Sequence, residues 1–243
     1  RRHVPGIRAL LRVLNHDTDT GRDRERLPTM WPLDTPNAPS PTRWSALQRG
    51  PEAAAEDRKR FLDLEEAGTD IHGEARFVTT LVPPPSRVLD AGCGFGRVAS
   101  KLTRLGHTAI GVDADEHLIE LAREDADTRF FVAGLSTLNL RAEQEFHCVV
   151  MAGNVVPYLA DGTLAAVLER LSSHLAPGGY LVAGFGLSGS ALPENAAPVS
   201  LRVYDRLAEA AGLSFINRYA TWDREPFVAG GSYAVSVHRR TGG

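Results

Sequence analysis

Between residues 86 and 186 short apolar runs alternate with amphipathic ones, and this alternation narrows the possible folds more than any other feature. SRVLDAG (86–92), HTAIGVD (107–113), TRFFVAG (128–134), HCVVMAG (147–153) and YLVAGFG (180–186) are brief and rich in Val, Ile, Leu and Phe. Runs of this kind suit strands covered on both faces. RVASKLTRLG and DEHLIELARED separate the first three, and both read as helices. A longer helix is expected where Leu164, Val167, Leu168, Leu171 and Leu175 share one face, ending at Pro177-Gly178-Gly179. Strands alternating with helices predict a parallel sheet covered on both sides, an α/β doubly wound architecture. Two helices are expected before it, over 52–66 and 72–82, the second stopped by Pro83-Pro84-Pro85. After the helix LRVYDRLAEAAG, the stretches LSFINRYATW and GSYAVSVHRR flank Gly230-Gly231 and predict an antiparallel hairpin. The sheet would then have seven strands, mostly parallel.

Residues 1–45 read differently. They are rich in Arg, Pro, Asp and Thr, and apolar periodicity fades after IRALLRVL. We read them as a poorly ordered extension preceding a domain over 46–243, with a lid over the active site as the alternative. Met30 is a candidate start, and 1–29 are expected to be dispensable for folding because they lack the apolar pattern of a packed element. The net charge of −3 offers no basic field for a phosphate backbone, so DNA is not expected as a partner. No apolar run approaches the roughly 18 residues of a membrane span, and no charged-then-apolar segment opens the chain. The expected location is cytoplasmic, with no membrane partner. Cys93 and Cys148 lie in apolar strand-like stretches and are expected as reduced thiols. No metal site is expected, and the oligomeric state is left open.

The chemistry concentrates at Val88-Leu89-Asp90-Ala91-Gly92-Cys93-Gly94-Phe95-Gly96-Arg97. This segment joins a strand to a helix at the strand's carboxyl end, where open α/β sheets bind ligands. Glycines there let the backbone turn sharply and a ligand come close. The dinucleotide pattern G-x-G-x-x-G fails because residue 97 is Arg, and no phosphate-loop pattern G-x-x-x-x-G-K-[ST] occurs. Asp113 closes the second strand and brings a carboxylate to the same crevice, where it can accept hydrogen bonds from both hydroxyls of a ribose.

The pattern D-x-G-x-G-x-G resembles motif I of class I S-adenosylmethionine-dependent methyltransferases, and the chain overall resembles actinobacterial-type members of that class. The resemblance implies a Rossmann-like fold and S-adenosylmethionine as cofactor. It implies that Asp90 positions the methionine amino group, that Ala91, Gly92, Gly94 and Gly96 wrap the methionine half, and that Asp113, with Ala114, holds the ribose. Gly134, Leu135 and Ser136 would border the adenine, although many relatives carry an Asp here and neither 134 nor 135 is acidic. Met151 and Ala152, at the fourth strand's end, complete the cofactor set. The turn Leu175–Leu181 resembles the family's approach to the fifth strand. Two separated cysteines cannot hold the cluster that radical chemistry on this cofactor needs, which leaves methyl transfer.

On the acceptor side, Asn154, Tyr158 and His72 are candidate catalytic residues, with Glu74 a further possible base. His147 is expected at the wrong end of the sheet. The order of residues around Asn154 lacks the prolines of DNA base methyltransferases. Trp222 is either a wall of the acceptor pocket or a core residue. The reading is methyl transfer to an O or N of a small molecule. A catalytically inactive cofactor-binding relative and a Rossmann-type oxidoreductase are the alternatives. The failed fingerprint and the lack of a Tyr-x-x-x-Lys pair oppose the oxidoreductase.

Overall fold

The computed structural model describes residues 41–47, 49–140, 143 and 145–242. Seven strands, β1 (Arg87–Ala91), β2 (Thr108–Asp113), β3 (Arg129–Val132), β4 (Phe146–Met151), β5 (Leu175–Gly186), β6 (Leu213–Tyr219) and β7 (Tyr233–Arg240), form one sheet ordered β3-β2-β1-β4-β5-β7-β6. Pairing is parallel from β3 through β5, and β7 runs antiparallel between β5 and β6. The Rossmann-like, mostly parallel sheet with a closing hairpin is therefore as expected. From β1 the chain winds out to β3 and then returns to β4, so the order reverses between β1 and β4. The carboxyl ends of those two strands bound the crevice.

The helices are α1 (Pro51–Glu66), α2 (Gly73–Leu81), α3 (Arg97–Arg104), α4 (Glu116–Ala122), α5 (Val155–Tyr158), α6 (Leu164–His174) and α7 (Leu201–Ala210). Alternate strand residues face opposite sides. Val88, Cys148, Val150 and Val182 join one core with Phe77 and Val78 of α2, Val98 and Leu102 of α3, and Ile119 of α4. On α6 the expected stripe is real, with Val167, Leu168 and Leu171 fully buried. Among the described residues no helix is long and apolar enough to cross a membrane, and no group of three or more His, Cys, Asp or Glu stands ready for a metal.

Three boundaries differ from the sequence reading. Helix α6 ends at His174, because Leu175 is already extended (φ −78°, ψ 144°) and pairs with Phe146. Pro177 drives its predecessor out of the helical region, so the break comes before the Pro-Gly-Gly run, which lies inside β5. The single turn α5 was not anticipated after β4. Residues 41–45, grouped above with the extension, pack on the domain, and residues 1–40 lie outside the described residues.

Candidate functional site

The loop between β1 and α3 is tied to β2, since the Gly92 and Cys93 N–H groups both donate to the Val112 carbonyl, at 2.8 and 3.0 Å. Gly94 and Gly96 both have positive φ, +54° and +87°, for different reasons. A Cβ on Gly96 would stand 2.6 Å from Phe130 Cζ, so this glycine lets α3 start against the sheet. A Cβ on Gly94 would meet nothing within 4 Å. Gly94 leaves space for something that approaches the backbone.

Two carboxylates flank the loop. Asp113 Oδ2 accepts from the Gly94 N–H at 2.8 Å, and Oδ1 accepts from the Asp115 N–H at 3.0 Å. Each oxygen keeps a further lone pair. Burial raises its pKa, and these N–H groups oppose the rise. Asp90 is 1% exposed. Its Oδ2 accepts from the Ala99 N–H at 3.0 Å, while Oδ1 has no hydrogen-bond partner. Burial pushes its pKa up to about 7, against the pull of the Ala99 N–H and Arg97. A buried carboxylate oxygen without a donor is a place for a cationic or N–H group.

A cavity of about 450 Å³ opens at the carboxyl ends of β1, β2 and β4. Gly92, Gly94, Asp113, Ala114, Gly134, Leu135 and Ser136 line it, seven of the residues singled out from sequence. Tyr158 lines it too, its ring edge-on to Trp44 at 5.3 Å and its hydroxyl donating to the Glu194 carbonyl at 3.3 Å. Burial raises the Tyr158 pKa, which keeps its proton in place.

The other expected residues stand elsewhere. Asp90, Ala91, Met151 and Ala152 are buried and do not line the cavity, and Gly96 packs against Phe130. Asn154 holds φ +67° and accepts the Gly186 N–H on Oδ1 at 2.6 Å, so it braces the end of β4 against β5. His72 borders a separate groove with Phe61 and Phe95, its Nε2 3.1 Å from Glu65 Oε1. Glu74 is engaged by Arg97 through two hydrogen bonds of 2.6 and 2.8 Å. His147 Nδ1 accepts from the Arg87 N–H at the opposite end of the sheet. Trp222 stacks edge-on against Phe77 at 5.5 Å and donates to the Tyr233 hydroxyl at 3.2 Å, as a core residue would.

The sequence reading offered the N-terminal part of the remaining wall only as its alternative, a lid over the active site, and named none of that wall's residues as lining the site. Pro41, Thr42, Trp44 and Ser45 come from the segment assigned to the extension, and Leu118, Val155, Thr163 and Val167 come from helices or their caps. A lone Trp after Pro41 in a polar stretch was the available signal for the first group.

A methyltransferase-domain profile matches residues 88–179. The crystal structure of a TehB-like SAM-dependent methyltransferase from Corynebacterium glutamicum is 33% identical, superposes with a TM-score of 0.71, and is matched over 79% of this chain and 100% of that one. A ubiquinone biosynthesis O-methyltransferase of Bradyrhizobium diazoefficiens is 34% identical over 98 residues, 40% of this chain and 38% of that protein. A ribosomal protein L11 methyltransferase of Chromohalobacter salexigens is 35% identical over 109 residues, 44% of this chain and 35% of that protein. The chain thus spans less than two fifths of the length of these two curated relatives. With the doubly wound sheet, the glycine loop at its switch point and a full-length match to a solved relative, this chain belongs to the class I S-adenosylmethionine-dependent methyltransferases, whose cofactor is S-adenosylmethionine.

Proposed function

We propose that the cavity at the β1–β4 switch point holds S-adenosylmethionine and that the enzyme passes its methyl group to a nitrogen or oxygen of a small molecule. In this reading Asp113 accepts the two ribose hydroxyls on the lone pairs left beside the Gly94 and Asp115 N–H groups. The open edge at Gly94 admits the methionine half, and the Asp90 carboxylate, which does not itself line the cavity, favours the ammonium group through its charge. Gly134, Leu135 and Ser136 face the adenine without a carboxylate, so recognition there falls to backbone groups and the Ser136 hydroxyl.

When bound, the cofactor supplies a methyl on a sulfonium, whose leaving sulfide is neutral. The chain's own part is alignment, which is catalysis by proximity. Among the described residues that line the cavity, Asp113 and Tyr158 are the titratable ones. Asp113 is committed to ribose, and Tyr158 keeps its proton and points it at Glu194. A general base is therefore not part of this reading. The acceptor brings its own lone pair, as a neutral amine or an ionised oxygen.

The observation that carries the cofactor reading is the cavity itself, and the net charge of −3, which offers no basic field for a phosphate backbone, favours a small acceptor. The cavity lies within the roughly 300–1,000 Å³ typical of small-ligand sites, and Trp44 and Tyr158 close it with aromatic surface rather than a basic groove. The test is transfer of labelled methyl from S-adenosylmethionine into a library of small amines, phenols and carboxylates, run beside ribosomal protein and RNA fractions. Label in a small acceptor with product S-adenosylhomocysteine supports the reading. Label only in macromolecules refutes it.

A further inference from the structure

Residues Pro41–Leu47 reach from one side of the cavity to the other. On the β2 side, Trp44 Nε1–H donates to Asp115 Oδ2 at 2.8 Å. On the β4 side, the Arg43 N–H donates to the Tyr158 carbonyl at 3.0 Å, and its guanidinium reaches Asp161 Oδ1 at 2.6 Å. Between these ties the Trp44 ring meets Tyr158 edge-on, interplanar angle 85°. The Arg49 guanidinium lies 4.9 Å over the Trp44 ring. The segment keeps its own shape: the Ser45 N–H donates to Thr42 Oγ1 at 3.0 Å, and Ser45–Leu47 forms a 3₁₀ turn.

The Asp115 carboxylate does two things. Its Oδ1 caps α4 by accepting from the His117 and Leu118 N–H groups, at 3.0 and 3.3 Å. Its Oδ2 is left for Trp44. Asp115 lies two residues after Asp113, and Ala114 and Leu118 beside it line the cavity. The tie therefore sits at the end of the cavity where the ribose carboxylate stands.

We propose that Pro41–Leu47 is a latched strap over the nucleoside end of the cavity, and that Trp44, held by Asp115, is a cofactor-binding residue that governs how fast S-adenosylmethionine leaves. This rests on the reading that the cavity takes the cofactor. The ring forms part of the wall, so a bound adenosyl group is covered until the Trp44–Asp115 hydrogen bond opens. Opening breaks a partly buried bond to a carboxylate and parts two aromatic edges. Slow exchange then comes from the strap, while the affinity set by Asp113 and the loop is a separate quantity.

Two substitutions isolate the latch. Trp44→Phe keeps an aromatic wall and removes the N–H. Asp115→Asn keeps an equally good helix cap and leaves its acceptor oxygen occupied by the α4 N–H groups, so an amide N–H faces the Trp N–H. Tritiated S-adenosylmethionine bound to the full-length protein, without acceptor, is chased with excess unlabelled cofactor, and the release rate is measured beside the melting temperature. Both variants should release the label about tenfold faster than wild type, the lower end of what a hydrogen bond to a charged partner is worth, with little change in melting temperature. Asp113→Ala, run in parallel, reports on the cavity itself. If it loses affinity while both latch variants release at the wild-type rate, the strap is only packing and the proposal is overturned, with the cavity assignment left standing. If Asp113→Ala binds like wild type, the cofactor lies elsewhere and the strap proposal falls with the site. Because the two latch residues lie on different elements, a variant that fails to fold leaves the other to decide.

Discussion

Replacing Asp113 by Ala probes the proposed ribose site most sharply. Its carboxylate now accepts the Gly94 and Asp115 N–H groups at 2.8 and 3.0 Å, so the change removes two kinds of interaction. In the free protein it leaves two backbone donors to find water or remain unpaired, at a cost of about 1–3 kcal/mol. For a domain of this size each kcal/mol lowers the melting temperature by roughly 2–4 °C, so a fall of several degrees is expected with the fold retained. In the complex it also removes the acceptor for the ribose hydroxyls. Hydrogen bonds to a charged group are worth about 1.5–3 kcal/mol, which is roughly ten- to a hundredfold or more in affinity at 1.4 kcal/mol per decade. Calorimetric titration with S-adenosylhomocysteine well below the variant's melting temperature separates the two effects. A melting temperature that falls while the dissociation constant stays at the wild-type value would mean that Asp113 braces the loop and touches no ligand.

Glycines 94 and 96 should behave oppositely. Gly94→Ala should abolish cofactor binding with a modest loss of stability, since its Cβ points into open space, whereas Gly96→Ala should lower the melting temperature sharply because its Cβ would strike Phe130; equal binding losses at equal stability would refute this division. Asp90 carries a pH signature. With its pKa near 7 in the native state and near 3.8 unfolded, the folded protein keeps a proton that the unfolded chain releases, so stability falls as pH rises from about 4 to 7. Asp90→Asn should be more stable than wild type at pH 8 and gain little at pH 4, checked by paired melting curves. Cofactor binding to wild type near pH 6 should release protons, measurable by calorimetry in buffers of different ionisation enthalpy, because an ammonium beside Asp90 favours its ionised form. His72→Ala should keep the turnover rate within about twofold, as expected for a half-buried residue that borders a separate groove and not the cavity; a loss of orders of magnitude would restore His72 as a base. Gly134→Asp should fold normally, since Gly134 has φ −81° and ψ 134°, and should tighten S-adenosylhomocysteine and sinefungin alike, by about 1 kcal/mol; no gain for either would move the adenine away from this turn.

The strand–helix alternation was legible because each run from 86 to 186 carries its own periodicity, and the order of the runs leaves few parallel-sheet topologies. The loop and Asp113 were legible because spacing alone brings them to one strand edge. Other features depend on contacts that a linear pattern does not carry. Gly94 and Gly96 read alike, yet one faces open space and the other Phe130. Asn154 and Tyr158 read alike as acceptor-side residues, yet the Asn154 side chain turns to the Gly186 N–H on a neighbouring strand while Tyr158 lines the cavity. His72 is two residues from Glu74, but the turn into α2 aims it at Glu65 and a separate groove. Trp44 was hidden for a different reason. Its partners Asp115 and Tyr158 are 71 and 114 positions away, so a polar stretch without periodicity left docking as the alternative reading and did not single out Trp44.

The most direct test of the cavity assignment is a crystal structure of the full-length protein grown with S-adenosylhomocysteine. The account predicts the ribose hydroxyls within hydrogen-bonding distance of both Asp113 oxygens, the amino-acid half along the Gly92–Gly94 edge, and the adenine beside Gly134–Ser136 beneath Trp44. Density for the ligand in the groove of Phe61, His72 and Phe95, with the switch-point cavity empty, would contradict it.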